Sequence, residues 1–306
     1  MISRLNIISL PFIFSAIFFN SLSSVKNLDS PLPLAPALYV FGDSLFDSGN
    51  NNHLPTLARA NYKPYGVDFA GGVTGRFTNG RTVADFIVKS ELPHYFKSRK
   101  ELSKYLSMAI FIFSVGNNDY INNYLDSGFD SSERYPPQQF SQLLIHSLSL
   151  KLQRLYELGA RKIVVFELGP IGCIPSIAKK VDGKCDEHVN YMISEFNSGL
   201  SRMLQNLTTT LHGSFFILGH ANWLGYDAIT NPSKYGLTDS SNPCCETWFN
   251  GTLSCIPELT PCPSPYRHFF WDAYHLTEAA CSVMASHCIN GSSVCIPMNI
   301  NQLIQV

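Results

Sequence analysis

Short, unbroken apolar runs separated by longer amphipathic stretches constrain this chain most. Ala37–Phe41, Ala109–Val115, Lys162–Leu168 and Phe215–Gly219 are apolar nearly throughout, and each ends in glycine or a polar turn. A strand open to water on one face alternates; a run without alternation suits a strand covered on both faces, as in a parallel sheet. Between the runs, Phe140, Leu144, Leu148, Leu152 and Leu155 step by three and four, with Gly159 placed to cap the helix. Val189, Ile193, Phe196, Leu200, Met203 and Leu207 follow the same spacing, and Thr82–Glu91 and Thr277–His287 are shorter helical patterns. This alternation predicts a three-layer α/β/α domain with right-handed crossovers. Ligand sites in such sheets lie beyond the carboxyl ends of the strands, which directs attention to the polar residues just after each run.

Composition excludes other classes. The 306 residues carry 22 Lys+Arg against 23 Asp+Glu, leaving no basic excess to neutralise nucleic-acid phosphates. At 45% hydrophobic and 15% charged, the chain is far from disordered composition. Arg4, the apolar run Leu5–Phe19 and the small residues Ser21, Ser23 and Ser24 have the order of a secretory signal. The run is about 15 residues, short of the roughly 20 that a membrane span needs. Residues 1–23 are thus expected to be a signal peptide and 24–306 a single domain with no membrane span. Nine cysteines, from Cys173 to Cys295, read as disulfides of an oxidising compartment, with at least one thiol left over. Their pairing is not fixed by spacing, and no short CxxC knuckle suggests zinc. Sequons at Asn206, Asn250 and Asn290 fit a secreted glycoprotein.

Three segments hold residues suited to nucleophilic catalysis. Gly42-Asp43-Ser44 follows the first strand, where a serine can present its hydroxyl and its own N–H to one point. Asp272 precedes His275 by three, so in a helical turn the carboxylate shares a face with the imidazole and can hold its tautomer for the serine proton. Asn118, in Gly116-Asn117-Asn118-Asp119 after the second strand, can donate its side-chain N–H to an oxyanion. Each segment alone is equally an ordinary polar turn. Cys281 as a nucleophile, or Asp43 with Asp47 as a glycosidase pair, are weaker alternatives: secreted cysteines mostly pair, and two acids in one turn do not flank a sugar.

Taken together and in order, these segments resemble the plant GDSL-type esterase/lipase family, within the SGNH hydrolases. The resemblance adds Gly72-Val73-Thr74-Gly75-Arg76-Phe77-Thr78-Asn79-Gly80-Arg81, Leu168-Gly169-Pro170-Ile171-Gly172-Cys173-Ile174-Pro175 and Trp271-Asp272-Ala273-Tyr274-His275, and covers nearly the whole mature chain. It implies a flavodoxin-like sheet and ester hydrolysis, or acyl transfer, through Ser44 as nucleophile, His275 as base and Asp272 as orienting acid. The implied oxyanion donors are the Ser44 N–H and Asn118. No metal or organic cofactor is implied; the substrates would be small-molecule, lipid or polysaccharide acyl esters, met in the cell wall or apoplast. A histidine base predicts activity rising through roughly pH 6–7.

One family block is missing. Relatives carry a second strand and an Asn-Phe-Ala-Ser-Gly-Gly-like loop after the Gly-Arg-Phe segment; here Thr82–Leu92 runs straight into Pro93-His94-Tyr95. Val67–Gly72 imitates that loop but precedes Gly75-Arg76-Phe77, so it is not accepted as its replacement. The expected consequences are a sheet lacking one edge strand, with the nucleophile strand left at the edge, and the loss of one oxyanion N–H. An inactive carbohydrate- or protein-binding remnant is therefore the competing reading, alongside an acyltransferase. A smaller departure is Leu276, where relatives usually have proline. Tyr62–Phe69 and Tyr120–Tyr135 are either walls of an acyl groove or locally packed loops.

Overall fold

The computed structural model describes residues 35–54, 56, 58–87, 99–126, 128 and 130–306. The proposed signal peptide and the Leu92–Pro93 junction lie outside them. Four strands, β1 (Leu38–Gly42), β2 (Ile110–Ser114), β3 (Lys162–Phe166) and β4 (Phe215–Gly219), pair in parallel in that spatial order. These are the four apolar runs: β1 to β3 are shifted or trimmed by a residue or two, and β4 has the predicted bounds. Two further strands, β5 (Asp239–Pro243) and β6 (His268–Phe270), form a separate parallel pair. The short β7 (Cys295–Ile296) joins β4 antiparallel, with Leu218 opposite Ile296.

Alternate residues of each strand serve opposite layers. Phe111, Phe113, Ile163, Val165, Phe216 and Leu218 pack with Leu148, Leu152, Ile193 and Leu200 from the helices Pro137–Leu158 and Glu187–Thr210. Val40, Ile110, Ile112, Val164 and Ile217 pack on the other side with Val83, Met284 and Ala285 from the helices Val83–Ile87 and Glu278–Asn290. Burial on both faces is why these strands have no polar alternation. The helices are capped at their ends. Gly159 takes φ 122° after Leu158, Asp186 accepts the N–H groups of His188 and Val189, and Thr277 accepts that of Ala280.

Among the described residues β1 has a single sheet neighbour, β2, so the strand leading to Ser44 is the edge expected of a chain without the second strand. Four disulfides join Cys173 to Cys185, Cys244 to Cys262, Cys245 to Cys255 and Cys288 to Cys295, and Cys281 is a buried free thiol. The last of these bonds pins β7 beside the helix that precedes it.

Candidate active site

The exits of β1, β2 and β6 converge. β1 leaves through Gly42, where a Cβ would lie 2.8 Å from Phe46 Cβ and 3.3 Å from the Ser114 carbonyl; the chain folding back so that Phe46 Cβ sits against this position demands glycine, and the β2 end adds a tight contact. The Asp43 N–H donates to that same carbonyl at 3.2 Å. Asp43 Oδ1 then accepts the Leu45 N–H, and Asn117 Nδ2 donates to Asp43 Oδ2 at 2.8 Å. This Asn117–Asp43 bond ties the two motif turns together. After β2, Gly116 adopts φ 115°, a left-handed conformation that turns Asn117 and Asn118 back over the sheet.

Ser44 Oγ lies 2.6 Å from His275 Nε2. His275 Nδ1 lies 2.9 and 2.8 Å from the two Asp272 oxygens. The predicted helical turn between these two is not present. Residues 271–275 form an irregular turn in which Asp272 Oδ1 accepts the N–H groups of both Tyr274 and His275, each at 2.8 Å. A short carboxylate that takes its own backbone donors makes a tighter bend than a helix and aims the imidazole back at the acid. The turn is closed by the Trp271 N–H on the His275 carbonyl and the Thr277 N–H on that of Phe269. Neither bond uses the Leu276 N–H, so leucine and proline are interchangeable there as far as these bonds are concerned.

Burial strongly disfavours charge on the fully buried Asp272 carboxyl. The His275 charge and hydrogen bond, the Tyr65 hydroxyl and the Tyr274 N–H together overcome it and hold the carboxyl below the usual carboxylate range. Asp43 goes the other way: burial raises it, against opposing bonds from Asn117 and the Leu45 N–H. The Gly-Arg-Phe block scaffolds this cluster. Phe77 packs against His275 with ring centroids 4.9 Å apart and the planes tilted by 35°, and Asn79 Oδ1 accepts the Glu278 N–H at the start of the following helix.

A cavity of about 480 Å³ opens over Ser44 and His275. Asn118, Ile171, Ile174, Ile229 and Leu253 are among its walls, an apolar lining with a few polar groups beside the serine. Of the two aromatic-rich segments, Tyr62 and Ile121 reach this cavity, whereas Tyr65 and Tyr120 are fully buried in packed clusters. None of residues 67–72 lines it, in keeping with their rejection as an oxyanion loop. Asn206 is exposed on the helix Glu187–Thr210, Asn290 is exposed at the end of its helix with Oδ1 accepting from Asn301 Nδ2, and Asn250 lies in the short helix Trp248–Gly251. Cys244, Cys262 and His268 bring ligand-type atoms within 4.8 Å of one another, but the two sulfurs are bonded together and offer no thiolate. The sequence alone did not point to Tyr65 or Asn117, whose partners are 207 and 74 residues away.

A family model described as GDSL-like Lipase/Acylhydrolase matches residues 38–288. GDSL esterase/lipase 7 of Arabidopsis thaliana is 38% identical over 326 aligned positions, covering 85% of this chain and 89% of its own length. Two other Arabidopsis thaliana GDSL esterase/lipases are each 36% identical, over 88% of this chain and 86% or 87% of theirs. The first alignment is longer than the whole 306-residue chain and so opens gaps in it. Fold and matches together define a carboxylic ester hydrolase built on an α/β/α sheet. The chain belongs to the GDSL-like lipase/acylhydrolase family, among its plant members. Among the described residues, no helix is long and apolar enough to cross a membrane.

Proposed function

We propose that this protein is a secreted serine hydrolase that cleaves acyl esters through a covalent acyl-enzyme. In this reading Ser44 is the nucleophile, His275 the general base and Asp272 the acid that orients it. The observation that carries it is the 2.6 Å contact of Ser44 Oγ with His275 Nε2, with Nδ1 of the same ring on the buried Asp272. Neutral His275 takes the serine proton as Oγ attacks the ester carbonyl; the tetrahedral oxyanion then collapses, and His275 returns the proton to the departing alcohol. Water, activated by the same imidazole, releases the acid. The Ser44 N–H and the Asn118 side chain are the proposed oxyanion donors. Asn122 Nδ2 donates to Asn118 Oδ1 at 3.2 Å, which engages the carbonyl end of that amide and leaves its NH₂ end as the donor.

The apolar cavity walls support acyl chains as the bound group, with lipid or wall-polymer esters as the substrate class. The signal-like residues 1–23, the disulfides and the sequons at Asn206, Asn250 and Asn290 support secretion of a single domain, 24–306, into the cell wall space. Purified protein should hydrolyse a short p-nitrophenyl ester and label with a fluorophosphonate. Ser44→Ala should abolish both, because only an activated serine reacts. Equal turnover by the two proteins refutes the assignment, and products ester-linked to an added alcohol would mark acyl transfer instead.

A further inference from the structure

Tyr65 is fully buried, yet its hydroxyl is not left to solvent or to chance. It lies 2.6 Å from Asp272 Oδ2 and 3.2 Å from the backbone N of Cys255. The partners fix the direction of both bonds. An ionised carboxylate only accepts and a backbone N–H only donates, so the phenol gives its single proton to Asp272 and takes that of Cys255. Burial, and after it the Asp272 charge, push the phenol well above its ordinary range, so it stays a donor at any working pH.

Asp272 Oδ1 is already held by the Tyr274 and His275 N–H groups. Oδ2 has the Tyr65 hydroxyl as its one other partner besides the imidazole among the described residues. One oxygen anchored on its own turn and the other on a separate loop leave the carboxylate no free rotation. The Tyr65 ring also packs edge-on against Phe77, at 6.0 Å between centroids, and Phe77 lies on His275. The brace extends into the stapled loop: Cys255 is bonded to Cys245, whose own N–H donates to the Trp271 carbonyl at 3.0 Å, next to Asp272.

We propose that Tyr65 is a positioning residue for the reaction: its hydroxyl, braced by the Cys255 N–H, fixes the Asp272 carboxylate that in turn orients His275. The inference rests on the triad reading given above. Its mark is electrostatic as well as geometric. A proton donated to Asp272 draws charge off the carboxylate and so weakens its hold on a protonated imidazole. The other groups facing His275 are Ser44 and Asp43 from the nucleophile turn and Tyr274 from its own turn, with Asp119 facing Asp43 in addition. Tyr65 itself bonds to Asp272 and the Cys255 N–H and packs on Tyr62 and Phe77, not on these groups.

Tyr65→Phe removes one oxygen. Rates should be expressed per site titrated with fluorophosphonate, so that a smaller folded fraction does not count. We expect kcat to fall about tenfold with KM within about twofold, and the acid limb of the pH–rate profile to move up by about half a unit or more. If the phenylalanine variant does not fold, 3-fluorotyrosine at position 65 decides alone. It keeps the ring and hydroxyl but donates more strongly, and should move the acid limb down. A merely structural Tyr65 would change the yield of folded protein and leave the limb in place. Labelled wild-type protein whose variants keep its acid limb overturns the role of Tyr65 only. Wild-type protein that does not label at Ser44 overturns the functional reading and this inference with it.

Discussion

Arg76 and Asp85 form an ion pair whose loss should be felt as an unpaired buried charge. Arg76 Nε and Nη2 donate to the two Asp85 oxygens at 2.7 Å each, and the side chains are only 7% and 14% exposed. Arg76 Nη1 also reaches the Ser48 carbonyl and Thr74 Oγ1, and the guanidinium lies over Phe69. At this burial the surface value for an ion pair does not apply. Arg76→Met strands a carboxylate that keeps only the Thr82 donors, which should cost about 3–5 kcal/mol. For a domain of this size that is a fall in melting temperature of about 5–8 °C. Arg76→Met with Asp85→Leu removes both charges and should recover most of the loss, short of about 1–2 kcal/mol for the Thr82 N–H left without its acceptor. Urea unfolding with the disulfides intact measures all four corners of the cycle. The pH dependence has a fixed sign. Burial pushes Asp85 up, but the Arg76 bonds and the Thr82 N–H outweigh it and hold the carboxyl below its ordinary value. A depressed folded value means stability that is present above about pH 4 and lost as pH falls through the folded value. The gap between wild type and Arg76→Met should therefore narrow in acid. Singles that add to the double within about 0.5 kcal/mol, or a gap that widens in acid, would refute the reasoning.

Two further outcomes follow from the site. Asn118→Ala should lower kcat on a p-nitrophenyl ester by about 10²–10³ with little change in KM; a change confined to KM would remove Asn118 from the oxyanion role. Cys281, whose thiol is pushed up to about 12 by burial and then by Asp85 and Glu278, should resist iodoacetamide in the native protein at pH 8, and Cys281→Ala should keep its turnover. Rapid native alkylation would contradict the burial.

The parts of the fold that sequence reveals are those whose residues are dictated by local surroundings. β1 to β4 are legible because strands covered twice have no polar positions, and the long helices because their stripes face one layer. β5, β6 and β7 are not, since Asp239–Pro243 is a polar run and the other two are three and two residues long. The placement of β7 is tied to the Cys288–Cys295 bond, a pairing that spacing does not fix, and β5 and β6 depend on each other across the chain. At the site, Ser44, Asp272, His275 and Asn118 stand in recognisable turns and do line or flank one cavity. The form of the 272–275 turn is not legible from spacing, because Asp-x-x-His is shared by a helix and by an aspartate that binds its own backbone. In the sequence Tyr65 is one tyrosine among several in an aromatic loop; only tertiary folding brings it to Asp272.

Ser44 and His275 meet across 231 residues of chain. A ribosome builds the serine early and the imidazole late. On the proposed roles, the nascent protein carries an inert alcohol until most of its length has been made, and a copy cut short before His275 has no base to activate it.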